Sequence, residues 1–244
     1  MSDEWWRACS PWWSCDAEGH FQNLKLNQMP DEAIQVSTAI KKVAPKGISI
    51  FIRGSVVESH RPFSRSDLDI IAVAPTRPTV ENLSHFCNVS LRTLDLKRFS
   101  HAQLKADLNQ LALLRHRSIQ VCGPDLNISA IKADFDFAWK QWCTYFPIGL
   151  PPEIDSQDRW AIIHFKLFAR CFGVLSLLYN GCFTRDIDSC IEVSEQFIPK
   201  AASLLKNLRE DLEQQKAGCW SIQEFIPLLC QLFDCANMEP HSTS

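Results

Sequence analysis

The sequence predicts an α+β protein: a small mixed sheet with flanking helices, followed by a helical bundle. Three observations carry this class. Apolar runs of strand length are confined to the first half of the chain. Beyond about residue 128 they give way to longer stretches with helical spacing, and proline and glycine punctuate the boundaries. With 244 residues, 46% of them hydrophobic, the chain has material for one large core or two modest ones.

The elements follow in order. Residues 1–28 hold Trp5, Trp6, Trp12 and Trp13 with Pro11 and Gly19, and show no sustained period. They read as an arm whose indoles dock on the body of the protein, since large aromatics bury. Pro30-Asp31-Glu32 reads as a helix start, with Ile34, Ala39, Ile40 and Val43 as an apolar stripe running to Pro45. Ile48-Ser49-Ile50-Phe51-Ile52-Arg53 is a buried strand that ends at Gly54-Ser55. A second strand covers 67–74, a short helix lies near 79–87, and a third strand covers 91–97. Ser100 precedes a helical pattern through Leu104, Leu108, Leu111 and Leu114, and a last strand begins at Ser118 and closes at Gly123-Pro124. The first domain therefore spans 29–128 and the helical second domain 129–244. In the latter, Phe135, Trp139 and Trp142 share a helix, and Trp160–Tyr179 forms an apolar helix ending at Asn180-Gly181. Further helices are expected at 186–214, interrupted at Pro199, and at 221–236, with no strands.

Composition bounds the partners. A net charge of −3 gives no broad basic field, and Lys41-Lys42 and Lys97-Arg98 are only scattered pairs, so no extended nucleic-acid surface is expected. No apolar run reads as the 18 to 20 or so residues that span a bilayer, and the acidic start lacks a signal-peptide pattern; a cytoplasmic location is expected. The cysteines number eleven and contain no Cys-x-x-Cys pair, which favours buried free thiols. Cys9, Cys15 and His20 are three conceivable zinc ligands, but their spacing fits no common pattern and no fourth ligand is evident.

The chemistry-bearing signal is Ser66-Asp67-Leu68-Asp69-Ile70-Ile71. On a strand both carboxylates share a face, which is how one strand can hold a divalent metal. Upstream, Gly54 lets backbone approach a phosphate closely. Downstream, alternation puts Thr93, Asp95 and Lys97 on one face, so a neighbouring strand would bring three acids together. Clustered carboxylates raise one another's pKa unless a cation is present, and magnesium suits such a set.

Gly54-Ser55, eleven residues, Asp67-x-Asp69 and a later Asp95 flanked by leucines resemble the DNA polymerase β-type nucleotidyltransferase superfamily over about residues 47–98. Val121-Cys122-Gly123-Pro124-Asp125-Leu126, Phe183-Thr184-Arg185-Asp186 and Pro199-Lys200-Ala201-Ala202 are similar to the later parts of bacterial stand-alone members, related in plan to lincosamide and aminoglycoside nucleotidyltransferases. The resemblance implies a nucleotidyltransferase fold. It implies that Gly54 and Ser55 bind the triphosphate of a nucleoside triphosphate donor, and that Asp67, Asp69 and Asp95 hold two magnesium ions. An NMP, AMP from ATP, would pass to an acceptor hydroxyl of a small molecule or macromolecule with release of pyrophosphate, and Asp95 would also help remove the hydroxyl proton.

Arg53, Lys97, Lys166, Arg170 and Arg185 are candidates to pair with the triphosphate, Lys166 first among them. Lys166 has a second reading as a lysine snorkelling from a buried helix. Arg185-Asp186 reads equally as a helix-start ion pair, and His164 reads as a satisfied core histidine. The segment Val56-Val57-Glu58-Ser59-His60-Arg61-Pro62-Phe63 is bulkier than in stand-alone members, which narrows the triphosphate site. That bulk and the tryptophan-rich arm support a competing expectation: a nucleotide-binding or protein-interaction module with the same fold and no turnover, such as a regulatory or defence partner.

Overall fold

The structure, a computed structural model, describes residues 10–23, 38, 41–42, 47, 49–54, 68–74, 89–95, 108–126, 128–146 and 150–238. The expected helices at 31–45 and 79–87 and the segment 55–67 lie outside the described residues. Eight strands are described: β1 (Trp12–Trp13), β2 (Ser49–Arg53), β3 (Leu68–Ala74), β4 (Val89–Asp95), β5 (Ser118–Cys122), β6 (Glu153–Asp155), β7 (Phe183–Thr184) and β8 (Cys219–Ser221). The described helices are α1 (Leu108–His116), α2 (Phe135–Tyr145), α3 (Ala161–Asn180), α4 (Ile187–Phe197), α5 (Pro199–Gln214) and α6 (Phe225–Met238). The chain is thus α+β, as expected. It divides into two compact units, Met1–Pro11 with Cys15–Lys132, and Trp12–Ser14 with Ala133–Ser244.

The first unit is built on a four-stranded sheet of order β4-β3-β2-β5. β2 runs antiparallel to both neighbours, and β3 and β4 are parallel, so the sheet is mixed. Every residue of β2 is buried, which is why it reads as an unbroken apolar run rather than an alternating one. Phe51, Ile71, Val73 and Leu114 form a core cluster against which Leu126 and Ile128 pack. At the end of α1, the Ser118 hydroxyl donates to the Leu114 carbonyl and starts β5.

Two buried basic residues sit at the same turn, His116 and Arg117. His116 Nε2 accepts from the Ile131 N–H at 3.0 Å, so the ring proton resides on Nδ1, 3.1 Å from the side-chain oxygen of Asn23. The Phe21 ring meets the imidazole edge-on at 6.0 Å. Burial, reinforced by Arg115, Arg117 and His20, pushes the imidazole pKa down to about 4.

The second unit has α3 at its centre. This 20-residue helix is, among the described residues, long and apolar enough to cross a membrane, which corrects the expectation that no such segment exists. The sequence reading missed it because His164, Lys166 and Arg170 interrupt the run. Phe165, Phe168, Phe172 and Leu175 are nevertheless buried inside the unit, as expected of the core helix of a bundle.

Helix ends follow local chemistry. Asp134 accepts from the Phe137 N–H at 3.1 Å and caps α2; Gly181 takes the left-handed conformation after α3. Pro199 opens α5 where its missing N–H costs nothing, so the long 186–214 stretch splits there as expected.

The expectation of no strands in this half is corrected by β6, β7 and β8. β6 pairs with β8, and β7 with β1. Each has two or three residues, too few to show an alternating period. Trp13, 4% exposed, lies 5.1 Å from Phe183 edge-on and 6.3 Å from Phe137, so this part of the arm is core. Trp5 and Trp6 lie outside the described residues.

Candidate nucleotide site

The site begins where β2 ends. Gly54 has φ of 97°, a conformation that favours glycine. A Cβ built there would stand 3.1 Å from Asp69 Oδ2 and 3.5 Å from its Cγ. The backbone of the Gly-Ser turn and the second acid of the Asp-x-Asp pair are therefore neighbours, and that closeness requires the missing side chain.

Antiparallel pairing accounts for it. Arg53 is the register partner of Asp69, and directly opposed residues share a sheet face. Arg53 is 7% exposed while Asp69 is half-buried. A buried guanidinium is expensive without a counter-charge, and the opposed carboxylate stands where one is needed. Asp69 consequently has two possible duties, one toward Arg53 and one toward a bound cation. Ser55 and Asp67 lie outside the described residues.

β4 does not supply what was expected of it. It is the parallel neighbour of β3, as the triad requires, but it begins at Val89 and ends at Asp95 rather than spanning 91–97. The register sets Ser90 beside Asp69 and Asp95 beside Ala74. Five positions of strand separate the two, about 16 Å. Asp95 thus stands at the far end of the strand pair, and the expected convergence of three acids is corrected. Among the described residues no group of three His, Cys, Asp or Glu side chains is placed to hold a metal. Lys97 lies outside them.

The remaining candidates belong to the second unit. Lys166 is exposed on α3, and His164 is half-buried. Arg170 and Arg185 both place their guanidinium carbon 6.0 Å from the Tyr145 ring centroid, and Arg170 Nε donates to the Arg185 carbonyl at 3.3 Å. Arg185 Nε is buried and meets no hydrogen-bond partner among the described residues. Asp186 is engaged elsewhere: its carboxylate accepts from the N–H and the hydroxyl of Ser189, each at 3.0 Å, and caps α4. Tyr145, which donates to Gln141 Oε1 at 2.9 Å, went unnoticed in the sequence because a buried tyrosine carries no spacing signal.

The zinc reading finds no support. Cys9 lies outside the described residues, Cys15 forms a hairpin bridge with Phe21, and His20 Nδ1 lies 3.6 Å from Asp16 Oδ1. The thiols are only partly as expected. Cys171 and Cys190 are buried, and burial raises both thiol pKa values, that of Cys190 to about 12; Cys143, Cys182, Cys219 and Cys235 are exposed.

Compared with known proteins, the chain matches no family model and no curated protein.

Proposed function

We propose that the chain is a magnesium-dependent nucleotidyltransferase of the DNA polymerase β type, moving AMP from ATP to an acceptor hydroxyl with release of pyrophosphate. The observation that carries this reading is the Gly54 backbone at φ 97°, lying against the Asp69 carboxylate at the end of a fully buried strand. A phosphate needs backbone that can come close, and a hard cation needs carboxylate oxygens; here both stand at one strand end. The donor set fits magnesium, with Asp69 and, from the sequence, Asp67 to hold it. When bound, the ion neutralises charge on the triphosphate. Gly54 leaves room for the phosphate, and Ser55 is the adjacent hydroxyl donor.

Labelled ATP, magnesium and cell extract test the reading. Transfer of label by the wild-type chain, reduced about 100-fold or more in Asp69→Asn, is expected if the carboxylate holds the charge-neutralising ion. Equal labelling by both proteins would overturn it.

A second reading has its own observation. The separation of Asp95 from Asp69 in the β3–β4 register favours a module that binds magnesium nucleotide without turnover. Calorimetric binding of magnesium-ATP, with no pyrophosphate released across many acceptors, would select it.

A further inference from the structure

We infer that Ser90, not Asp95, is the β4 residue that stands at the nucleotide site, and that this leaves the site one carboxylate short. The inference rests on the nucleotide-site reading above and sharpens it. In the sheet, Arg53, Asp69 and Ser90 occupy one row across β2, β3 and β4, because Arg53 pairs with Asp69 and Asp69 with Ser90. Gly54 directly follows Arg53 and touches the Asp69 carboxylate, so the row marks the end of the sheet where the phosphate turn lies. Asp95 belongs to a different row, with Ala74.

The chemistry follows from what occupies the row. A buried cation at Arg53, one carboxylate and a neutral hydroxyl-bearing residue carry little net charge. An acid in place of Ser90 would add a second carboxylate about 5 Å from Asp69, the spacing of neighbouring strands. Two acids so close raise one another's pKa and call for a cation to separate them; serine removes that demand. Magnesium binds through one or two carboxylates plus substrate phosphates, so the pair Asp67 and Asp69 suffices for one ion that arrives with the nucleotide. A second ion, which would clamp the attacking oxygen, lacks its ligand here. The site therefore takes one magnesium with its nucleotide and transfers slowly.

The experiment measures binding of a nonhydrolysable ATP analogue and Mg²⁺ to the full chain by calorimetry, in wild type, Asp69→Asn, Asp95→Asn and Ser90→Asp. One ion per nucleotide is expected in wild type. Asp69→Asn weakens binding by about 10-fold or more, as removal of a ligand does, while Asp95→Asn stays within about twofold, as a distant position does. Ser90→Asp tightens Mg²⁺ binding by about 10-fold and speeds pyrophosphate release from ATP. If Asp95→Asn weakens binding as much as Asp69→Asn, Asp95 completes the site and the inference is overturned while the nucleotide reading stands. If wild type binds no nucleotide, or binds it as well as Asp69→Asn does, the nucleotide reading fails and the inference with it. The Asp69→Asn and Asp95→Asn comparison decides even where Ser90→Asp melts at a lower temperature, which thermal denaturation of each variant reports.

Discussion

His116 ties local chemistry to stability. It is 1% exposed, it accepts a backbone hydrogen bond at Nε2, and a second proton there would set two donors against each other. Arg115, Arg117 and His20 oppose the same proton. The folded pKa of about 4 lies below the ordinary 6.5, so protons favour the unfolded chain. The contribution of neutral His116 is whole above about pH 6.5 and is lost as pH falls toward 4, on the order of 2 to 3 kcal/mol. Urea denaturation at pH 7, 6, 5 and 4 should show this loss, and His116→Gln should flatten the histidine part of it. An unchanged slope in the variant would assign the pH dependence to other groups. Nothing in the run Arg115-His116-Arg117 announces a neutral buried imidazole; two flanking arginines look like solvent-exposed charge until the fold wraps Phe21, Asn23 and Ile131 around the ring.

At the scale of elements, α3 and β7 meet at Gly173. A Cβ there would lie 2.2 Å from the Thr184 carbonyl oxygen and 3.2 Å from Cys190 Sγ. Ordinarily alanine stabilises a helix over glycine by about 1 kcal/mol. The sign inverts here, because β7 would have to move. Gly173→Ala should cost about 2 to 3 kcal/mol and lower Tm by roughly 5 to 10 °C in a thermal melt; a rise in Tm would show that β7 gives way freely.

The same scale explains what was legible in the sequence. β2 and β3 are continuous apolar runs, and Pro199 breaks a helix by geometry alone, so all three could be located from residues near in sequence. β4 alternates without interruption from Val89 to Lys97, and a period of two determines phase but is blind to a slip of two. Its register depends on pairing with β3, a nonlocal fact. That slip moves Asp95 away from Asp69 and brings Ser90 in, whereas the Gly54–Asp69 half of the site, set by one strand and its turn, was readable in advance.

At the scale of the whole chain, the two compact units do not correspond to two consecutive stretches. Trp12–Ser14 belongs with Ala133–Ser244, although the residues on either side of it belong with the first unit. Trp13 fills a place between Phe137 and Phe183 that nothing in the C-terminal stretch supplies by itself. Trp13→Ala should destabilise the second unit by about 3 to 5 kcal/mol, measured by urea denaturation followed by circular dichroism. A fragment starting at Ala133 should lose at least as much. If that fragment matched the full chain, the indole would be dispensable.

The pairing of β1 with β7 also has a consequence in time. Trp13 leaves the ribosome early, and its partner Phe183 follows after most of the polypeptide has been made. At ordinary rates of synthesis the interval is on the order of ten to thirty seconds. For that long the nascent chain carries an unsheltered indole, which makes the N-terminal segment a natural client for a chaperone that binds exposed aromatic residues.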